Sequence, residues 1–188
     1  EVVPDYIETG TYLIAGALCG NRLKIDGVIP EHVDSLISKL KEIGVPLEIG
    51  KDYIIVSKGE NYKSVDIQTS VYPGFPTDLQ QPFMSLLTQC NGISKVEENI
   101  FENRFMHVPY LNHMGASIAA LDKVALVHGR TELRGGHVEA TDLRAGASLI
   151  LAALIAEGET VINKVEYVLR GYEDIIEKFQ GIGAKIAL

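Results

Sequence analysis

Cysteine is scarce in this 188-residue chain, which carries only Cys19 and Cys90. Two cysteines without CxxC spacing cannot build a disulfide framework, and they do not read as a zinc or thiol-redox motif. The five histidines, His32, His107, His113, His128 and His137, are scattered, with no HxH or HxxxH pair. No metal site is therefore expected. Positive charge is not in excess either. The net charge is −8, which argues against a general nucleic-acid binder, since such proteins need a basic face. A local arginine cluster would still suit an anionic substrate. No apolar run approaches the ~20 residues needed to cross a bilayer, so no membrane association is expected. No signal peptide opens the chain, which points to the cytoplasm. The chain begins at Glu1 rather than Met and passes directly into structured-looking sequence, so a fragment of a longer protein is expected. GxSxG, Walker and GxGxxG motifs are absent. The Gly135-Gly136 pair in RGGHVEA reads as a turn, not a phosphate loop.

What the chain does contain is enough apolar sequence for a packed core: 46% hydrophobic against 22% charged residues. It also contains an internal repeat of roughly 65–70 residues. Each copy opens on an acidic residue leading into an apolar helix: Glu8 in IETGTYLIAGAL, Asp78 in PTDLQQPFMSLL and Asp142 in ATDLRAGASLILAAL. Each of these helices ends near a glycine, Gly20, Gly92 or Gly158, and a β-like run follows (RLKIDGV, GISKVEEN, TVINKVEYV). An amphipathic helix ending in Ile-Gly or Met-Gly comes next. Its stripes are Leu36, Ile37, Leu40 and Ile43, then Val108, Leu111 and Met114, then Ile175, Ile176, Phe179 and Ile182. Hairpins are expected around Gly50-Lys51-Asp52 and around Asp122. The unit is thus helix–strand–helix–strand–strand, with one more strand before the next copy. This predicts a single α/β domain over residues 1–188, with repeats at about 1–70, 71–138 and 139–188 and the last incomplete. Cys19 and Cys90 fall at matching helix ends where the third copy has Ile155, so both read as core positions.

Candidate chemistry gathers at a few repeat boundaries. Asp78 follows VYPGFP, an extra loop: eleven positions separate Ile67 from Asp78, but four separate Val138 from Asp142. Such loops often carry function, although Thr77 or Asp78 as a helix N-cap is the simpler reading of spacing alone. Asp142 suits the positive end of a helix dipole, and Arg144 does not. Arg144 either reaches back to Asp142, helps to hold an anion, or is simply solvated. Arg104 and Arg170 occupy matching loops one repeat apart. With Arg144 they would make a three-guanidinium clamp for a small molecule bearing phosphate and carboxylate. The plainer alternative is surface pairing with Glu98, Glu102 or Glu166.

FPTDLQ, FENRFMHV, ATDLRAGAS and RGYEDIIEKFQGIGA, in this order and spacing, closely resemble the C-terminal half of the UDP-N-acetylglucosamine enolpyruvyl transferase family. PDYIETGTYLIAGAL resembles the start of that half, and the resemblance spans nearly the whole chain. It implies an inside-out α/β barrel domain of three repeated units, one of two such domains flanking a cleft. It implies transfer of the enolpyruvyl group of phosphoenolpyruvate to the 3-hydroxyl of UDP-N-acetylglucosamine, with release of phosphate, in the first committed step of peptidoglycan synthesis. No cofactor is implied. By this resemblance Asp78 is the general base at the sugar hydroxyl, and Asp142 orients groups or shuttles a proton at the reacting carbon. Arg104, Arg144 and Arg170 hold phosphoenolpyruvate and stabilise the tetrahedral intermediate. Thr77, Ile100 and Phe101 touch the nucleotide sugar. The family's reactive cysteine, a Lys-Asn pair and further arginines belong to the N-terminal domain, so this chain alone is expected to turn over little. Tyr6 stands where the family usually has arginine. The alternatives are an enzyme like 5-enolpyruvylshikimate 3-phosphate synthase, which shares fold and donor, and a non-catalytic binding relative.

Overall fold

The computed structural model describes residues 2–188. Its first unit runs α1 (Tyr6–Cys19), β1 (Leu23–Asp26), a 3-10 turn at Pro30–Val33, α2 (Asp34–Ile43), β2 (Leu47–Ile49) and β3 (Tyr53–Val56). Two short strands follow, β4 (Tyr62–Lys63) and β5 (Ile67–Gln68). The second unit repeats the plan with α3 (Thr77–Leu87), β6 (Cys90–Glu97), α4 (Val108–His113), β7 (Ser117–Leu121), β8 (Val124–Gly129) and β9 (His137–Glu139). The third has α5 (Leu143–Ala153), β10 (Val161–Asn163), α6 (Glu166–Leu169) and α7 (Ile175–Gly181). The second half of the run expected to be β-like after Thr160 is therefore the short helix α6.

Sheet order confirms the repeat. The first unit is antiparallel β1-β3-β2, and the second is antiparallel β6-β8-β7. Both hairpins fall where expected, and Asp122 sits at the second one in a left-handed conformation, φ 53°. The extra strand of each unit hands over to the next: β4 and β5 pair parallel with β6, and β9 pairs parallel with β10. The glycines that close the amphipathic helices share one backbone state, with φ +99° at Gly44, +102° at Gly115 and +98° at Gly183. At Gly44 the backbone N–H reaches back to the Leu40 and Lys41 carbonyls, the bonding that a left-handed glycine supplies after a helix end. The stripes of α2 and α4 are buried as expected. In the third unit Ile175 and Phe179 are buried but Ile182 is 50% exposed. The described residues contain no hairpin after α7 to cover it.

Helices α1, α3 and α5 pack on one another. They are buried nearly all round, with Leu79–Leu87 of α3 and Ala145–Ala152 of α5 entirely so. A helix without a wet face must be surrounded, and here the sheets and outer helices surround it. This is the inside-out arrangement that the resemblance implies. Polar groups inside pair with each other. Ser85 of α3 and Ser148 of α5 join at 2.8 Å, and Thr11 of α1 joins Tyr172 at 2.8 Å. The small residues are structural. A Cβ at Gly10 would lie 2.4 Å from Leu79 Cδ1. No helix of the described residues is long and apolar enough to cross a membrane.

Two features give tests. Gly135 passes so close to the next unit that a Cβ would lie 2.1 Å from the Glu159 carbonyl oxygen, whereas at Gly136 the nearest atom is His113 Nε2 at 3.5 Å. Gly135→Ala should destabilise the chain by about 2 kcal/mol, an overpacking against backbone, and Gly136→Ala should change the urea midpoint little. His107 is wholly buried, neither ring nitrogen has a hydrogen-bond partner among the described residues, and burial pushes its pKa down to about 3 against a weaker upward pull from Asp142. The folded protein keeps the imidazole neutral while the unfolded chain protonates below about 6.5. Stability is thus fully present above that value and falls as pH drops towards 3. Between pH 7 and 5 this amounts to about 2 kcal/mol for one proton. Urea midpoints should show that loss in the wild type, and His107→Leu should flatten it.

Candidate active site

The three opening acidic residues have three different fates. Glu8 lies inside the first turn of α1, whose cap is Asp5, accepting from the backbone of Ile7 (2.8 Å) and Glu8 (3.3 Å). Glu8 instead pairs with Lys178 of α7 at 2.6 Å. Asp142 is a true N-cap: extended, with Oδ1 accepting from the backbone N–H of Arg144 (2.8 Å) and Ala145 (2.9 Å). Asp78 caps nothing. Helix α3 starts at Thr77 behind Pro76 without a side-chain cap, so the capping reading of Thr77 and Asp78 is overturned. The Asp78 carboxylate faces two arginines, accepting from Arg104 Nη2 at 2.5 Å and from Arg144 Nη2 at 3.1 Å.

This explains Arg144. A cation in the first turn of α5 is opposed by the helix dipole, but its guanidinium leaves its own helix for Asp78 and sits 5.4 Å from the Tyr172 ring. It does not reach back to Asp142; only its backbone N–H does. Burial works against its charge, but Tyr172 and Asp78 outweigh that and raise its pKa. Arg104 is placed by its loop. Asn103 takes a left-handed conformation, φ 54°, and Gln81 Nε2 holds the Arg104 carbonyl at 2.9 Å. The Arg104 guanidinium lies 5.0 Å from the Phe101 ring. Neither arginine pairs with Glu98, Glu102 or Glu166. Arg104 Nε and Arg144 Nη1 have no acceptor among the described residues, so Asp78 leaves part of the clamp's donor capacity unused.

Asp142 is close to this pair of ion bridges: Gln81 Nε2 also points at its Oδ2, at 3.5 Å. Arg170 is not brought into the cluster. It is exposed, stacks 5.1 Å from Tyr167, and makes no ion pair with Asp78. Its loop is nonetheless fastened to the site, because Tyr172, two residues on, lies beneath Arg144. Gly171 lets the chain pass so close that a Cβ would sit 2.4 Å from Leu143. Thr77, Asp78 and Ile100 line a pocket of about 190 Å³, with Tyr6, Tyr72 and Pro76 on its walls. Ile100 and Phe101 are exposed beside it. A larger cleft of about 1240 Å³ runs between the ends of α1 and α5 and residues 182–187, and contains none of the charged cluster.

Sequence reasoning missed Gln81, Tyr172 and the internal role of Glu98. All three act across sequence separations that no local motif spans. The cysteines divide. Cys90 is buried, with its thiol pushed up to about 12 by burial, as a core residue should be. Cys19, the last residue of α1, is exposed at the rim of the larger cleft, which overturns its reading as a core position, whereas Cys90 is the first residue of β6. Among the described residues no group of three or more His, Cys, Asp or Glu is placed to hold a metal ion.

A partly buried aspartate shared by two arginines, at the N-terminal ends of two central helices, suits a polyanionic ligand and a hydroxyl acceptor. The family described as EPSP synthase (3-phosphoshikimate 1-carboxyvinyltransferase) matches residues 1–179. The chain is 50% identical over 185 residues to UDP-N-acetylglucosamine 1-carboxyvinyltransferase 2 of Geobacillus kaustophilus, covering 98% of this chain and 43% of that protein. It is 51% identical over 186 residues to UDP-N-acetylglucosamine 1-carboxyvinyltransferase of Koribacter versatilis, covering 99% and 43%. The chain thus spans less than half the length of these relatives. Among solved structures it resembles the enolpyruvyl transferase NikO from Streptomyces tendae, with TM-score 0.89 and 29% identity over 99% of this chain and 44% of that one. EPSP synthase from Acinetobacter baumannii shares the fold, with TM-score 0.72 and 19% identity over 97% and 46%. By sequence match, repeat and sheet order together, the chain belongs to the EPSP synthase (3-phosphoshikimate 1-carboxyvinyltransferase) family.

Proposed function

We propose that this chain is the C-terminal half of an enolpyruvyl transferase acting on UDP-N-acetylglucosamine, with an N-terminal domain supplying the rest of the cleft. The reaction joins the sugar 3-hydroxyl oxygen to C2 of phosphoenolpyruvate while C3 gains a proton. Loss of that proton and of phosphate from the tetrahedral intermediate then restores the double bond. As the first committed step of peptidoglycan synthesis in the cytoplasm, it would serve wall growth, cell shape and division.

The observation that carries this reading is the Arg104–Asp78–Arg144 bridge. Two guanidinium groups held in one place fit a substrate with a carboxylate and a phosphate. Arriving anions compete with Asp78 for those donors and leave its carboxylate free to accept the proton of an acceptor hydroxyl. Arg104 and Arg144 then face the charge of the intermediate, where fixed donors contribute most. Arg170, on the loop fastened under Arg144, would close on the donor when the second domain docks. Asp142 would orient groups at the reacting carbon. Thr77, Ile100 and Phe101, beside the pocket next to Asp78, would meet the nucleotide sugar. The identity to relatives bearing the UDP-N-acetylglucosamine name supports that acceptor over 3-phosphoshikimate.

Phosphate release from phosphoenolpyruvate and UDP-N-acetylglucosamine tests this. The chain is mixed with a separately expressed N-terminal half of the Geobacillus kaustophilus relative. Turnover is expected only in the mixture, with Arg144→Ala and Asp78→Ala each lowering it by about 10²–10³. Turnover with 3-phosphoshikimate instead would move the acceptor. A folded, associated but inactive mixture would point to a binding relative. Measurable turnover by this chain alone would contradict the division of the site between two halves.

A further inference from the structure

Glu98 is a carboxylic acid with almost no contact with solvent, 1% exposed, and it forms no ion pair among the described residues. A buried carboxyl group is costly unless its oxygens are satisfied, and these are. Oε1 accepts from Thr69 Oγ1 (2.8 Å) and from the backbone N–H of Ile100 (2.9 Å) and Phe101 (3.1 Å). Oε2 accepts from Thr77 Oγ1 at 2.9 Å. The Thr69 hydroxyl in turn accepts from the Asn99 N–H at 2.9 Å.

These donors come from three separate segments. Thr69 closes β5 and opens the extra loop. Thr77 ends that loop and starts α3, one residue before Asp78. Ile100 and Phe101 begin the loop that carries Arg104. The first two therefore anchor both ends of the loop lining the 190 Å³ pocket, and the third anchors its opposite wall at Ile100. The far end of the Arg104 loop has its own anchor in Gln81. Glu98 thus braces the Thr77–Ile100 side of the site, while Gln81 and Asp78 brace the arginine side.

We infer that Glu98 is a positioning residue for the acceptor: it touches no substrate, and it sets the spacing between Thr77–Asp78 and Ile100–Phe101 into which the nucleotide sugar fits. This rests on the functional reading above, and its test separates the two. In the isolated chain, amide hydrogen exchange at Ile100 and Phe101 should accelerate by about tenfold or more in Glu98→Ala, since each bond lost is of order 1 kcal/mol or more. Glu98→Gln keeps an acceptor oxygen and should stay near wild type. In the mixture with the N-terminal half, Glu98→Ala should raise KM for UDP-N-acetylglucosamine by about tenfold while KM for phosphoenolpyruvate moves less than about twofold. Glu98→Gln should recover most of the difference. If Glu98→Ala does not fold, Thr69→Val removes one donor to the same carboxyl and should shift both readouts in the same direction by less. Unchanged exchange at Ile100 and Phe101 would overturn the inference, as would equal rises in both KM values. An inactive wild-type mixture would sink the functional reading alone, and the exchange result would still decide whether Glu98 holds these walls.

Discussion

Two guanidinium groups close together repel, and Asp78 is what allows Arg104 and Arg144 to be neighbours. Its two oxygens take one arginine each. At partial burial such interactions are stronger than on an open surface, and here they join three pieces of chain: the start of α3, the loop after β6 and the start of α5. Two arginines thus meet around one shared aspartate on a chain whose total charge is −8. The arginines are gathered there although acidic residues outnumber Lys and Arg in the whole chain, 25 to 17.

The gathering follows from the fold. Placing the apolar helices inside and the sheets outside makes α3 and α5 direct neighbours, locked by Ser85 against Ser148. Their N-terminal ends then emerge together, so Asp78, Gln81 and Asp142 meet although 64 residues separate the first and last. Each helix also points its positive end toward that region. The repeat therefore has a chemical consequence: equivalent helix starts become adjacent, and each copy can specialise its acidic position. Glu8 holds α7, Asp142 caps α5, and Asp78 bridges the arginines.

The architecture was legible because it rests on short-range rules. Apolar periodicity located α2, α4 and α7, and the closing glycines Gly44, Gly115 and Gly183 all adopt the left-handed state that a helix end favours. What was misread depended on partners distant in sequence. Val165–Leu169 is apolar enough for a strand, yet Glu166–Leu169 closes a helical turn. Thr77 and Asp78 looked like caps because cap chemistry is local; their actual partners, Glu98, Arg104 and Arg144, lie 21 to 66 residues away. Glu98 looked like a surface partner for arginine, and the fold buries it among neutral donors. Cys19 looked like a copy of Cys90, but one helix ends in a cleft and the other runs into a central strand. Arginine types and spacing marked the clamp, but not which of its members would be assembled: Arg104 and Arg144 meet, and Arg170 stays outside.

The central claim is that one carboxylate holds two arginines. The guanidinium nitrogen NMR spectrum of the chain tests it most directly, because ion pairing slows rotation about the Nε–Cζ bond and resolves the Nη signals. The account predicts resolved Nη signals for Arg104 and Arg144 that are lost together in Asp78→Asn, with the exposed Arg22–Glu48 pair unaffected. Arg104 and Arg144 signals that survive Asp78→Asn unchanged would show that something other than Asp78 holds them, and would contradict it.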